Sequence, residues 1–142
     1  MSISANPYSN YRQSHVETAD QTELLVMMYN GALKFLRQGR QAIGDKNIEN
    51  ANYFLGRVQD IIAELMGSLD LENGGEVAKN LFNIYEYMHR QLVQANIKKD
   101  AGLLVDVEKM LASLKQAWEQ NRQETPAQVN TQRDKGILNY GC

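Results

Sequence analysis

Apolar residues recur along this chain at the period of an α-helix, in four separate segments. The predicted helices span about residues 20–43, 47–69, 76–96 and 101–120, and no segment alternates with the two-residue period of a strand. Because the connections are short, consecutive helices are expected to lie antiparallel. The sequence therefore predicts an all-α fold, an antiparallel up-and-down four-helix bundle over residues 20–120.

The first predicted helix is unusually apolar between Leu24 and Leu36. On a helical wheel Leu24, Met28 and Phe35 cluster within about 40°, and further apolar side chains extend the arc to about 200°. A surface helix usually needs a stripe of only somewhat more than ~100°. We therefore expect this helix to be covered on two sides, by another helix, by the N-terminal arm or by a partner. Met28 is assigned to the core.

The third predicted helix also carries more apolar surface than one core face requires. Its main stripe contains Val77 and Tyr85, and a second stripe with Phe82, His89 and Val93 widens the face to about 180°. The second and fourth helices have one apolar face each. The surplus on helices 1 and 3 predicts a partner-binding surface, of which roughly half should prove to be core; its candidate residues are Leu25, Val26, Met27, Tyr29, Leu33, Phe82, Tyr85, His89 and Val93.

Polar segments flank the predicted bundle. Residues 1–19 form a predicted extended arm, whose Tyr8 and Tyr11 are expected to cap the apolar surface of helix 1. Asp20 and Asp100 are predicted to cap the first and fourth helices. Residues 121–142 are polar and are predicted to form a mobile tail.

Composition and charge exclude several functional classes. A net charge of -2 argues against a nucleic-acid surface, since such surfaces depend on clustered cations. No apolar run approaches the ~20 residues that span a bilayer, and the N-terminus has no secretion-signal pattern. Cys142 is the only cysteine, so no intrachain disulfide is possible and a reducing compartment is indicated. These features predict a cytoplasmic protein.

Candidate catalytic chemistry is sparse. Glu86 and His89 match half of a di-iron carboxylate pattern, but the sequence contains no second copy of it. No cysteine or serine stands in a recognisable nucleophile arrangement, and the glycines form no phosphate-binding loop. We therefore predict that the protein is not an enzyme and needs no metal or other cofactor. A metal protein built around Glu86 and His89 remains an alternative, as does a bundle that dimerises through its surplus apolar face.

Several strings in this chain resemble the flagellin-specific export chaperones, the FliS family. The resemblance covers about residues 6–120 in order, and it departs from the family where Gln21 replaces a frequent proline. The matching strings are Asn6-Pro7-Tyr8 with Tyr11, Val16-Glu17-Thr18-Ala19, ELLVMMYNGALKFL from Glu23 to Leu36, GGEVAKNL from Gly74, IYEYM from Ile84, Val107-Glu108 and LKQAW from Leu114.

The resemblance implies a small helical bundle of the bacterial cytoplasm. Such a chaperone binds the C-terminal segment of flagellin along apolar grooves, prevents premature polymerisation and assists flagellar export. It also implies that the arm occupies part of this surface in the free protein. The export apparatus, a co-chaperone or an anti-sigma factor are further partners consistent with it. No nucleic acid and no membrane insertion are expected.

Overall fold

Four α-helices and one short 3₁₀ turn make up the computed structural model, which describes the backbone of residues 21–124 and the side chains of residues 21–120. Helix α1 spans Gln21–Gly44, α2 spans Ile48–Gly67, α3 spans Gly75–Lys98 and α4 spans Val105–Glu124. The 3₁₀ turn, Ala101–Leu104, leads into α4. No strand occurs within residues 21–124, and the predicted all-α four-helix bundle is confirmed.

Contacts between helices establish the antiparallel order. Along α1, Gly31 lies beside Ile61 of α2 while Gly39 lies beside Leu55, so the two helices run in opposite directions. The Nζ atom of Lys99, directly after α3, donates to Oδ1 of Asn52 near the start of α2 at 2.7 Å. Helix α1 packs against both α2 and α4, and α3 packs against α2, so α1 and α3 are diagonal in the bundle.

Polar side chains cap two of the helical segments. The Oδ1 atom of Asn47 accepts from the backbone N–H of Asn50 at 3.0 Å, which satisfies one free donor at the start of α2. As predicted, Asp100 caps the last segment, and its Oδ1 atom accepts from the N–H of Gly102 at 2.9 Å. The predicted cap Asp20 lies outside the described residues.

The connection between α2 and α3 requires two glycines. A Cβ atom on Gly74 would lie 2.5 Å from the backbone oxygen of Asp70, closer than any real contact of this kind. Gly75 has φ of +67°, in the left-handed region where a side chain is disfavoured. The carboxylate of Asp70 accepts from two backbone N–H groups of the turn, and these bonds hold the pKa of Asp70 below its usual value.

The bundle geometry explains the wide apolar arc of α1. Helices α2 and α4 cover its two flanks, and Tyr85 of the diagonal helix α3 reaches it through the core. The buried side chains of this arc are Leu25, Val26, Tyr29, Ala32, Leu33 and Leu36. The arc is therefore centred on Tyr29 and Leu36, whereas Leu24, Met28 and Phe35 are only half-buried at its edge.

Val77, which was predicted in the main stripe of the third helix, lies at the surface instead and is 50% exposed. Ile48 is 58% exposed, and both residues stand in the first turn of their helices, where neighbouring helices give less cover. Helix α4 buries the expected face through Val107, Leu111 and Trp118. Within residues 21–124, no helix has both the length and the apolar character needed to cross a bilayer.

Candidate functional site

The candidate partner-binding residues on α1 separate into two groups. Leu25, Val26, Tyr29 and Leu33 are all buried and belong to the main core cluster. Met27 is 55% exposed and is the only one of the five α1 candidates that presents most of its surface. These four side chains therefore contribute to the core that stabilises the bundle.

Tyr29 and Tyr85, both predicted as partner-binding residues, form the polar centre of the core. Their hydroxyl oxygens lie 2.5 Å apart, and Nε1 of Trp118 donates to the Tyr29 oxygen at 3.0 Å. Burial raises the pKa of Tyr29 to about 12, although the bonds from Tyr85 and Trp118 act in the opposite direction. These three side chains connect α1, α3 and α4, so we interpret Tyr29 and Tyr85 as core residues.

The candidates on α3 lie along one edge of its buried stripe. Phe82, His89 and Val93 are half-buried and follow the helical period, and Ile97 continues the row one turn further, 69% exposed. We call these four residues the α3 flank. Among residues 21–120, the half-buried side chains that pack against the main core cluster include Ile84 on the other edge of this helix but not Phe82 or Val93.

The α3 flank lies on the side of α3 that adjoins α2. Nζ of Lys99 donates to Oδ1 of Asn96, which shares this side of α3, and to Oδ1 of Asn52 on α2. The residues of α2 that share the side of Asn52 include Gly56 and Ala63. A Cβ atom on Gly56 would meet nothing within 4 Å. These small residues of α2 therefore leave space beside the α3 flank.

A further aromatic cluster lies on α1 and α2, outside the predicted partner-binding residues. The rings of Phe35 and Phe54 are stacked with centroids 6.3 Å apart, and Tyr53 meets Phe54 edge-on at 5.2 Å. The guanidinium of Arg57 lies 5.3 Å from the centre of the Phe35 ring, in cation–π geometry. A helical wheel treats one helix at a time, so it does not show that Phe35 of α1 and Phe54 of α2 stack on one another.

The geometry gives no metal-binding arrangement around Glu86 and His89. The Glu86 carboxylate lies 3.7 Å from Arg90 on the next turn of α3, and its side chain is half exposed. Among the side chains of residues 21–120, no three of the His, Cys, Asp or Glu type come together as potential metal ligands. The candidate capping residues Tyr8 and Tyr11, and the tail that ends at Cys142, lie outside the described residues.

Most of this chain is similar in sequence to known proteins. A family profile described as "Flagellar protein FliS" matches residues 4–125. The "Flagellar secretion chaperone FliS" of Bacillus subtilis is 44% identical over 115 residues, covering 81% of this chain and 85% of that protein. The proteins of the same name from Vibrio cholerae and Salmonella typhimurium are 37% and 35% identical, covering 75% and 76% of this chain and 79% and 81% of their own lengths.

Proposed function

The chain belongs to the FliS family of flagellar proteins, and from this membership we propose that it is a flagellar secretion chaperone of the bacterial cytoplasm. Its substrate in this proposal is flagellin, bound through its C-terminal segment, so that flagellin does not polymerise before export. The family is one of chaperones and not of enzymes, and the proposed action requires only non-covalent binding. The observation that carries the proposal is the match over residues 4–125 to this family.

We propose the α3 flank as part of the surface that contacts flagellin. Phe82 and Val93 offer apolar area that the core does not use, His89 adds a polar atom between them, and Ile97 extends the row. Met27 of α1 is a separate exposed candidate on another side of the bundle. The buried candidates of α1 are not needed as direct contacts in this proposal.

Apolar burial would drive binding against the loss of chain entropy. A segment that is disordered alone loses conformational freedom when it orders on the chaperone. Each Å² of apolar surface removed from water offsets this by about 25 cal/mol. In this proposal the bound flagellin segment is partly extended and partly helical, and its apolar anchors follow the row of the α3 flank.

We propose that the N-terminal arm competes with flagellin through Tyr8 and Tyr11. An arm that covers part of the binding surface lowers the apparent affinity and shields apolar area from self-association. Tyr8→Ala combined with Tyr11→Ala should then strengthen flagellin binding and increase the fluorescence of a dye that binds apolar surface. Weaker binding by this double variant would instead make the arm part of the site.

Calorimetric titration with a peptide from the C-terminus of flagellin tests the main proposal. We expect a one-to-one complex with a strongly negative heat-capacity change, the mark of apolar burial coupled to ordering. Val93→Asp should weaken the complex. Val105→Asp is the matched control, because Val105 is also a partly exposed valine but lies at the start of α4.

The same titration separates the chaperone from a bundle that only self-associates. If the folded protein binds no flagellin peptide, and sedimentation instead shows dimers that Val93→Asp dissociates, the surplus apolar row serves self-association and the proposal is wrong. Equal loss of binding in the two valine variants would remove the α3 flank from the site without affecting the chaperone assignment. The export apparatus, a co-chaperone or an anti-sigma factor are additional partners that this family role allows.

A further inference from the structure

A polar groove runs between α1 and α4, on the face of the bundle opposite the α2–α3 side that carries the α3 flank. Its volume is about 440 Å³. Each helix lines it with residues at positions i, i+3, i+4 and i+7, which is one face over two turns. From α1 these are Asn30, Leu33, Lys34 and Arg37, and from α4 they are Ala112, Lys115, Gln116 and Glu119.

The charge of this groove opposes the charge of the whole chain. Three of its lining side chains are cationic and only Glu119 is anionic, which gives a net charge of +2 in a protein whose overall charge is -2. Lys34 projects from α1 and Lys115 from α4, so helix packing brings the two lysines to one concave surface. Within residues 21–120, neither lysine has an ion-pair or hydrogen-bond partner.

Glu108 holds the arginines at one end of the groove. Its carboxylate accepts from Nε of Arg37 at 2.9 Å and also pairs with Nη1 of Arg40. The hydrogen bonds from Arg40 and Arg37 lower the pKa of Glu108, so this carboxylate stays charged at neutral pH. One carboxylate shared by two guanidinium groups leaves a positive excess at this end, in addition to the two unpaired lysines.

We propose that the α1–α4 groove is a docking site for an acidic polypeptide segment of a second partner protein. Carboxylates of such a segment would pair with Lys34 and Lys115, and the amides of Asn30 and Gln116 offer further hydrogen bonds. The charge complementarity selects an acidic partner over a neutral or basic one and speeds encounter. Because the groove and the α3 flank lie on opposite faces, both partners can bind at once. This proposal does not rest on flagellin binding.

Fluorescence anisotropy with a defined probe tests the acidic preference. The probe is a labelled alanine-based helical peptide of about 20 residues with a glutamate on every turn, and its control carries glutamine at the same positions. We expect the full-length protein to bind the glutamate peptide and to lose affinity as salt rises toward the physiological range, where charges are screened beyond about 8 Å. Equal affinity for the two peptides would overturn the proposal.

Charge removal locates the site. Lys34→Ala with Lys115→Ala should weaken binding of the glutamate peptide about five- to tenfold, the effect of losing two partly solvated ion pairs. Lys79→Ala with Lys98→Ala removes the same charge from exposed positions of α3 and should leave the affinity unchanged. An equal loss in both double variants would mean non-specific attraction, which contradicts a docking site.

A second pair of variants keeps every lysine. Ala112→Glu places a competing carboxylate inside the groove and should reduce binding of the glutamate peptide, whereas Ala117→Glu adds the same charge to an exposed position of α4 outside it. The flagellin titration should be unchanged in Lys34→Ala with Lys115→Ala. Loss of flagellin binding in this double lysine variant would make the groove part of the flagellin site. That result would overturn the proposal of a separate partner. Failure of flagellin binding in the unmodified protein counts only against the chaperone proposal.

Discussion

The hydroxyl groups of Tyr29 and Tyr85 meet at 2.5 Å in the centre of the bundle, joining two helices that are diagonal to one another. Trp118 donates to the same Tyr29 oxygen from α4, so this oxygen is bonded from two directions. Buried polar groups are expensive when unpaired, and a bonded pair in the core restricts how the helices can pack. The contact therefore specifies the alignment of α1, α3 and α4 as well as contributing to stability.

Removing the central hydroxyl should destabilise the protein. Tyr29→Phe removes the hydroxyl oxygen that accepts from Nε1 of Trp118 and that bonds the hydroxyl of Tyr85. We expect the free energy of unfolding to fall by about 1–3 kcal/mol, the cost of losing two buried hydrogen bonds. Urea denaturation followed by circular dichroism measures this. Tyr53→Phe is the control, because Tyr53 is exposed, and its unfolding midpoint should not move.

The same tyrosine predicts a loss of stability in alkali. Burial raises the pKa of Tyr29 to about 12 in the folded protein, above the ordinary value of 10.0. At pH values below 10.0 both the folded and the unfolded protein keep the phenolic proton of Tyr29, so this group does not lower the free energy of unfolding. Between these values the unfolded chain releases the proton and the folded chain retains it, so stability falls as pH rises, by about 2–3 kcal/mol in total.

Comparison with Tyr29→Phe isolates this titration from that of the other tyrosines and lysines. The difference in unfolding free energy between the unmodified protein and the variant should shrink as the pH of the urea titrations increases from about 9 to about 11. A difference that stays constant across this range would mean that Tyr29 ionises alike in both states.

The helices were predictable because their core positions repeat locally. The capping role of Asp100 followed from its position before an apolar run, and the face of α4 from the spacing of Val107, Leu111 and Trp118. The orientation of α1 was harder to obtain. Its apolar arc is wide because α2 and α4 cover opposite flanks. A wheel drawn for one helix does not show whether its second flank is covered by another helix of the bundle or by a partner.

The candidate site was only partly predictable for the same reason. Tyr29 and Tyr85 looked like members of two surplus faces, yet the bundle joins them across its core. Phe82 and Val93 are half-buried on α3, and their contact with a partner stays a prediction. The lysines of the α1–α4 groove come from helices far apart in sequence, so no local pattern indicated that Lys34 and Lys115 share one surface.

Two glycines of α1 should respond oppositely to the same substitution. A Cβ atom on Gly39 would lie 2.7 Å from Cδ2 of Leu55, which is fully buried and has little space to move. Gly39→Ala should therefore cost about 1–3 kcal/mol through overpacking. A Cβ atom on Gly31 would lie 3.7 Å from Cδ1 of Ile61, an ordinary contact. Gly31→Ala should gain about 0.5–1 kcal/mol from helix propensity.

Thermal unfolding of the two alanine variants measures both effects in one experiment. The melting temperature should fall for Gly39→Ala and rise for Gly31→Ala. A rise in both would show that α1 and α2 separate enough to admit a methyl group at Gly39, which would contradict the close helix contact seen there.

Gln21 offers a stabilising substitution at the start of α1. The residue is 3% exposed, and among residues 21–120 neither its amide oxygen nor its amide nitrogen has a hydrogen-bond partner. A buried amide without partners costs about 1–3 kcal/mol, and methionine has a similar length without the polar atoms. Gln21→Met should therefore raise the free energy of unfolding by about 1 kcal/mol or more in urea titrations. Gln94→Met, at an exposed position of α3, is the matched control and should have no effect. If Gln21→Met destabilises the protein instead, the amide is satisfied in solution and its burial carries no penalty.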